Sequence, residues 1–208
     1  MKGDPSLDSR PMAITTIRTF ASSWSLPNLL TYGRVVAVPV VAGLLFWSDA
    51  AWVRWTALGI FAVAGITDFF DGYLARMWSQ QSSLGRMLDP IADKLLVAAC
   101  LMILVADRTI AGWSVWAAIV ILCREILVSG LREYLAELRV SVPVSTVAKW
   151  KTTLQLIALG FLIAGPAGEL VLPGTIEIGL VLLWLAAVLT LYTGWDYMKA
   201  GFKHVVEE

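Results

Sequence analysis

Four aspartates lie at helical spacing in a stretch that is otherwise strongly apolar. Asp68 and Asp71 are three residues apart, and Asp89 and Asp93 are four apart. Residues three or four apart share one face of a helix, so each pair would present two carboxylates together. A carboxylate near the middle of a membrane costs at least about 2.5–3.5 kcal/mol, so acids at such positions are functional candidates.

Four carboxylates in one pocket repel one another unless cations neutralise them. Carboxylate oxygens are hard ligands that suit Mg²⁺, Mn²⁺ or Ca²⁺ better than zinc. Two divalent ions held by shared aspartates are suited to displacement reactions at phosphorus. We expect the two helices that carry the aspartates to pack antiparallel, which would bring the two carboxylate pairs face to face.

Small residues and an arginine accompany these acids. Gly72, Ala75 and Gly85 remove side-chain bulk beside the aspartates, and Arg76 follows on the same helical stripe as Asp68 and Asp71. One interpretation is tight packing of helices through small residues. The other is space for a flat nucleotide group against the backbone, with Arg76 on its phosphate. The adjacent aspartates favour the second interpretation.

A second group of charged residues lies further along the chain. Its cations are suited to binding a phosphate, although single lysines at a membrane surface also reach toward water without a ligand. The cations are Arg124, Arg132, Lys149 and Lys151, and the acids that could hold them in position are Glu125, Glu133 and Glu137.

Apolar helices must position both groups. The 208 residues are 58% hydrophobic and 15% charged with no net charge, which excludes a disordered chain, an ordinary soluble enzyme and a nucleic-acid partner. A helix needs about 20 apolar residues to cross a bilayer. Six segments qualify, and they predict an all-α polytopic membrane protein with six transmembrane helices in one bundle: 32–47, 52–75, 86–106, 111–132, 147–165 and 175–198.

The distribution of basic residues predicts the orientation of this bundle. Fourteen of the sixteen lysines and arginines fall in the terminal regions and in the second and fourth connections, leaving only Arg54 and Arg108 opposite. The positive-inside rule then places both termini in the cytoplasm. We predict one domain over residues 24–208. Residues 1–23 are polar, without a signal peptide, and fit either an amphipathic surface helix or a disordered tail.

The aspartate stretch resembles a known family signature. Residues 68–76 read DFFDGYLAR, eight residues follow, and residues 85–93 read GRMLDPIAD. The CDP-alcohol phosphotransferases carry the pattern DxxDGxxAR(x)₈GxxxDxxxD, which this chain matches at every fixed position. Residues 27–34 look like the start of these enzymes, and residues 124–153 resemble the bacterial members that make phosphatidylglycerophosphate.

The resemblance implies a reaction and roles for individual residues. Such enzymes replace the CMP of CDP-diacylglycerol with an alcohol, here sn-glycerol 3-phosphate. Two divalent cations, Mg²⁺ or Mn²⁺, would be held by Asp68, Asp71 and Asp89. Asp93 would be the general base, a fourth metal ligand, or both. The residues implied for the CDP group are Asn28, Thr31, Asp68, Gly72, Ala75, Arg76 and Gly85, and those for the acceptor phosphate are Arg124, Arg132, Lys149 and Lys151.

Relatives also imply a homodimer in the bacterial inner membrane, with its active site facing the cytoplasm and open to membrane lipid. Two alternatives remain. The same chemistry could serve another acceptor, such as inositol phosphate, serine or phosphatidylglycerol; the cluster of cations argues for a phosphorylated acceptor and against serine. A divalent-cation transporter is the alternative from a different class, and the absence of matching polar residues near the outer face argues against it.

Overall fold

The chain forms six helices in a computed structural model that describes residues 26–78, 83–137 and 146–206. Side chains are described in part of these helices: 29–67, 87–88, 91–136, 150–195 and 197–199. The helices are α1 (Leu26–Trp47), α2 (Ala51–Trp78), α3 (Ser83–Ala106), α4 (Ser114–Glu137), α5 (Thr146–Glu169) and α6 (Thr175–Val206). Within these ranges there is no β-strand, which confirms the predicted all-α class.

The helices match the six predicted segments, with differences at some ends. Residues 111–113 belong to the connection between α3 and α4 instead of opening α4. Helix α5 continues to Glu169, past residue 165, at which the predicted segment ends. The break falls inside the helix, because Gly165 adopts φ 43° and ψ −127°, and Pro166 follows directly. A positive φ costs glycine little, so the helix kinks there and then resumes.

Three stretches in the described residues are long and apolar enough to cross a membrane: Leu29–Trp47, Ser114–Ala136 and Thr175–Lys199. A shorter apolar stretch, Ala51–Thr67, forms the first part of α2. Pro39 is accommodated within α1. The molecule is therefore an all-helical protein with the apolar helices of a membrane protein.

The buried core takes residues from all six helices, among them Val41, Phe61, Leu101, Ile121, Leu159 and Leu183. The most extensive packing is between α5 and α6, and α6 also packs on α4. Helix α1 packs against both α2 and α3, and α2 also packs against α5. In the part of the chain that the structure describes, α2 and α3 are not among the extensively packed pairs, and the packing of their signature-bearing ends stays a prediction.

That the two carboxylate pairs face each other remains a prediction, because of the four aspartates only Asp93 has a described side chain. Residues 1–23, for which the sequence left two alternatives, also lie outside the described residues.

Candidate functional site

The aspartates of the signature lie on continuous helices. Asp68 and Asp71 belong to the last three turns of α2, and Asp89 and Asp93 to the first half of α3. Helical spacing within each pair is therefore as predicted. Of the four side chains only that of Asp93 is described, and the described side chains alone contain no cluster of three metal-ligating residues.

Asp93 lies where charged groups from four helices converge. It is partly buried, and the charges that act on it belong to Lys94 on its own helix, Glu125 on α4, Arg34 on α1 and Lys151 on α5. Arg34 is buried, with a relative exposure of 2%. The carboxylate predicted to be the base therefore shares one electrostatic environment with part of the predicted phosphate-binding group.

Lys151, Glu125 and Arg124 form an ion-pair network inside the bundle. The Nζ of Lys151 donates to Oε1 of Glu125, and Nη1 of Arg124 lies 3.5 Å from the same oxygen. Lys151 is buried, and the side chain of Arg124 is 10% exposed. Lys151 therefore does not extend to the membrane surface. Glu125 therefore pairs with two of the predicted cations. This is the role that the sequence analysis gave to Glu125, Glu133 and Glu137.

Helix α6 supports both arginines of α4, which the sequence analysis missed. The Nη2 of Arg124 donates to Thr193 Oγ1 at 2.9 Å. The Nη2 of Arg132 donates to the Tyr197 hydroxyl at 3.3 Å, and its Cζ lies 5.6 Å from the centre of that ring. No local signal singled out Thr193 and Tyr197, since the same stretch of α6 also contains Thr190, Tyr192 and Asp196.

The remaining predicted residues are placed mainly by their helices. Thr31 is buried on α1, one turn before Arg34 and on the same face. Asn28 lies in the first turn of α1, and Lys149 in the first turn of α5. Four other residues of the signature have described backbones but no described side chains: Gly72, Ala75 and Arg76 on α2, and Gly85 on α3.

Two apolar grooves flank α2. The first, about 340 Å³, lies between residues 29–37 of α1 and 59–67 of α2, with Arg34 and Thr67 among its lining residues. The second, about 440 Å³, lies between residues 58–66 of α2 and 153–160 of α5. On α2 the described lining of both grooves extends to within two residues of Asp68. A helical stretch of this length spans about 12 Å, comparable to half of a bilayer's apolar core of about 30 Å.

The opposite end of the bundle contains a second buried arginine. The Nη2 of Arg54 lies 2.7 Å from Oδ2 of Asp107, and its Nη1 donates to the Ile163 carbonyl at 3.4 Å. The other oxygen of Asp107 accepts the backbone N–H of Thr109 at 2.8 Å. A Cβ on Gly165 would lie 2.6 Å from Arg54 Nη1, so the kink in α5 makes room for the guanidinium.

Comparison with known proteins places the whole bundle in one family. Residues 24–192 match CDP-alcohol phosphatidyltransferase. A protein of Cereibacter sphaeroides is 37% identical over 219 residues, covering 89% of this chain and 99% of its own length. One of Rickettsia bellii is 46% identical over 180 residues, covering 86% and 97%. One of Shigella flexneri is 40% identical over 187 residues, covering 89% and 99%.

All three relatives are named CDP-diacylglycerol–glycerol-3-phosphate 3-phosphatidyltransferase. The match spans the aspartate signature, the charged residues of α4 and α5, and most of α6. On this evidence, together with the signature on α2 and α3, the chain belongs to the CDP-alcohol phosphatidyltransferase family.

Proposed function

We propose that this protein transfers a phosphatidyl group from CDP-diacylglycerol to sn-glycerol 3-phosphate, giving phosphatidylglycerophosphate and CMP. The observation that carries this assignment is the convergence of Asp93 with the Glu125–Lys151–Arg124 network. A carboxylate that can take a proton lies beside cations that can bind a phosphate. This is what an acceptor carrying both a hydroxyl and a phosphate requires. The names of the relatives support the same assignment.

The family uses divalent metal ions. The donor set of this chain fits such ions, because the signature provides four carboxylates and Mg²⁺ and Mn²⁺ prefer oxygen ligands. We assign two Mg²⁺ or Mn²⁺ ions to Asp68, Asp71 and Asp89, with Asp93 adjacent. When bound, the ions would draw charge from the pyrophosphate of the lipid and stabilise the leaving CMP.

Asp93 has the central role in the chemistry assigned to the chain's own residues. It takes the proton of the primary hydroxyl of glycerol 3-phosphate, which is a weak nucleophile at neutral pH. The hydroxyl oxygen then bonds to the phosphorus that carries the diacylglycerol, and the bond from that phosphorus to the CMP oxygen breaks. Arg124, Arg132, Lys149 and Lys151 hold the acceptor phosphate, which keeps the hydroxyl directed at the reacting phosphorus.

The CDP group is assigned to the signature residues and the adjacent start of α1. Gly72, Ala75 and Gly85 leave space for it, while Asn28, Thr31 and Arg76 provide polar contacts. Each acyl chain lies in one of the two grooves beside α2, because the described lining of both grooves is mostly apolar and reaches to within two residues of Asp68. The lipid then straddles α2 with its pyrophosphate at the aspartates.

The proposed setting is the bacterial inner membrane, with six spans, both termini and the active site on the cytoplasmic side, and residues 24–208 as one domain. The distribution of basic residues supports this orientation, and tryptophans at the opposite end support a membrane surface there, since tryptophan collects where a bilayer meets water. They are exposed: Trp47, Trp52, Trp55, Trp113 and Trp116. We also propose a homodimer, supported by the many exposed apolar side chains of the helices.

The test is release of CMP by the purified full-length protein in detergent. CDP-diacylglycerol and Mg²⁺ or Mn²⁺ are supplied with one acceptor at a time: glycerol 3-phosphate, inositol phosphate, serine or phosphatidylglycerol. Release with glycerol 3-phosphate that a chelator abolishes is the expected result. Release only with another acceptor would overturn the assigned acceptor, and no release with any alcohol would overturn the reaction.

A further inference from the structure

We infer that α6 positions the acceptor-binding arginines, and that Thr193 and Tyr197 are therefore positioning residues that set affinity for a phosphorylated acceptor. The inference rests on the proposed function, in which Arg124 and Arg132 bind the acceptor phosphate. It adds two residues outside the family signature, on a helix to which no role in the site has yet been assigned.

Thr193 holds the guanidinium of Arg124 through a hydroxyl that donates one hydrogen bond and accepts another. A threonine hydroxyl has one proton to donate and lone pairs with which to accept. Its Oγ1 lies 2.9 Å from the Leu189 carbonyl and 2.9 Å from Nη2 of Arg124. Because the proton goes to the helix backbone, the lone pair on the opposite side is directed at the arginine. Thr193 is 1% exposed, so water does not compete for this contact.

Gly194 makes the approach of Arg124 to α6 possible. A Cβ at this position would lie 3.1 Å from Cγ of Arg124 and 3.4 Å from its Nε. The arginine side chain therefore passes directly over the glycine to reach Thr193. The Nε of Arg124 lies against α6 at this glycine, so the described contact with Thr193 is made by Nη2.

Tyr197 holds Arg132 one turn further along α6. Its buried hydroxyl accepts from Nη2 of Arg132, and its ring lies near the guanidinium carbon. The contacts keep the same order along both helices. Arg124 and Arg132 are eight residues apart, about 12 Å along α4, whereas Thr193 and Tyr197 are four apart, about 6 Å along α6. The side chains of the arginines therefore converge.

Converging cations favour an anion between them. Arg132 acts on the charge of Arg124, and Arg124 acts on that of Lys151. These three cations outnumber the two acids that act on them, Glu125 and Asp93, which suits a phosphate anion. Holding like charges together is unfavourable without a ligand, so fixed supports such as Thr193 and Tyr197 are needed to maintain the arrangement.

The experiment measures CMP release by the full-length protein while glycerol 3-phosphate and CDP-diacylglycerol are varied separately. Tyr197→Phe removes the hydroxyl, Thr193→Val replaces the hydroxyl by a methyl group of similar size, and Gly194→Ala displaces Arg124. Each variant should raise the KM for glycerol 3-phosphate about threefold to tenfold, the effect of losing one hydrogen bond of ordinary strength. The KM for CDP-diacylglycerol should not change.

Two controls separate positioning from general damage. Thr193→Ser keeps the hydroxyl and should retain a KM near that of the wild type. Gly130→Ala is also a helical glycine substitution, on α4 between the two arginines, but its Cβ would meet nothing within 4 Å. It should leave both KM values unchanged.

The outcomes distinguish failure of this inference from failure of the proposed function. If the wild type uses glycerol 3-phosphate and the KM is unchanged in both Thr193→Val and Tyr197→Phe, the inference is overturned and the proposed function stands. Equal increases in both KM values would also overturn it, because they would indicate a structural role. A wild type that does not release CMP with glycerol 3-phosphate would overturn the proposed function instead.

Discussion

The two ends of the bundle each bury an arginine and use it differently. At one end Arg54 bonds to Asp107 and to a backbone carbonyl, while the second oxygen of Asp107 bonds to the backbone. At the other end Arg124 shares Glu125 with Lys151 and rests on Thr193, and its Nε has no partner among the described residues. The Nε of Arg54 also has no partner among the described residues, but the first arrangement balances its charge with Asp107, whereas the second places two cations on one carboxylate.

The difference separates stability from function. A buried charge is tolerated when internal partners compensate for its loss of hydration. Arg54 satisfies that condition. Its contacts join the α1–α2 connection, the α3–α4 connection and α5 at one end of the bundle. The cations near Asp93 satisfy it only in part, so we assign them to a ligand. Substitutions at the first end should therefore change stability, and substitutions at the second should change catalysis.

The largest effect is expected from Asp93→Asn. Losing a general base should lower the rate of CMP release by about 10²- to 10⁴-fold, while the protein still folds. Binding of Mn²⁺, followed by paramagnetic resonance, should be retained at least in part, because Asp68, Asp71 and Asp89 remain. Each of those three changed to Asn should abolish activity together with metal binding.

Glu133→Gln is the control for this series, since Glu133 is an exposed acid on α4. It should leave both turnover and metal binding at the level of the wild type. Full activity of Asp93→Asn would contradict the role of Asp93 as the base.

Asp107→Ala should lower the stability of the fold and leave catalysis unchanged. Removing one partner of a buried ion pair costs about 3–5 kcal/mol, and the side chains of Arg54 and Asp107 are 3% and 9% exposed. The midpoint of thermal unfolding should fall on the order of 10 °C. Turnover of the protein that remains folded should match that of the wild type.

Asp49→Ala provides a matched control, because Asp49 approaches the same guanidinium at 3.7 Å but its side chain is 90% exposed. Exposed pairs contribute little, so this variant should unfold at the temperature of the wild type. Equal destabilisation by the two substitutions would show that burial does not decide the strength of these pairs.

Arg124→Ala and Arg132→Ala should produce smaller effects at the catalytic end. Loss of a hydrogen bond to a charged group costs about 1.5–3 kcal/mol, which corresponds to a KM for glycerol 3-phosphate raised about 10- to 100-fold. Turnover at saturating acceptor should fall much less. Kinetics with each substrate varied in turn will measure both quantities.

Arg108→Asn is the corresponding control, since it removes an exposed cation at the opposite end. Arg108 has φ 63°, a conformation that asparagine tolerates better than most residues. The KM should not change in this variant. Unchanged kinetics in both α4 variants would contradict the acceptor site.

The helices could be predicted from the sequence because apolar length is a local property of the chain. All six segments were found, but residues 111–113 were assigned to α4 and the end of α5 was placed too early. Residues 111–113 continue an apolar pattern but form turns. Gly165 kinks α5 without ending it, and the helix resumes as far as Glu169.

The site could be predicted only where its residues are close together in the chain. The aspartate signature lies within 26 consecutive residues, so its spacing alone revealed it. The supports of the arginines depend on which helices pack together. Thr193 lies 69 residues from Arg124, and Tyr197 lies 65 from Arg132, so no local pattern connects them. The burial of Arg34 beside Asp93 likewise follows from the packing of α1 on α3.

The smallest effect concerns Glu169, the last residue of α5, which bonds across the connection to α6. Its carboxylate accepts the backbone N–H groups of Gly174 at 2.9 Å and Ile176 at 2.7 Å, at the start of α6. These hydrogen bonds lower the pKa of Glu169 below its ordinary value of 4.5. The unfolded chain therefore binds more protons between the two pKa values, so stability rises with pH in that range.

The stabilisation should be present above pH 4.5 and lost as the pH falls through the lowered pKa of Glu169. The midpoint of thermal unfolding of the wild type should exceed that of Glu169→Gln near neutral pH, and the two should converge as acid is added. Glu133→Gln should follow the wild type throughout. Parallel profiles for wild type and Glu169→Gln would show that the carboxylate does not stabilise this connection, and that the contrast between the two ends rests on Arg54 and Asp107 alone.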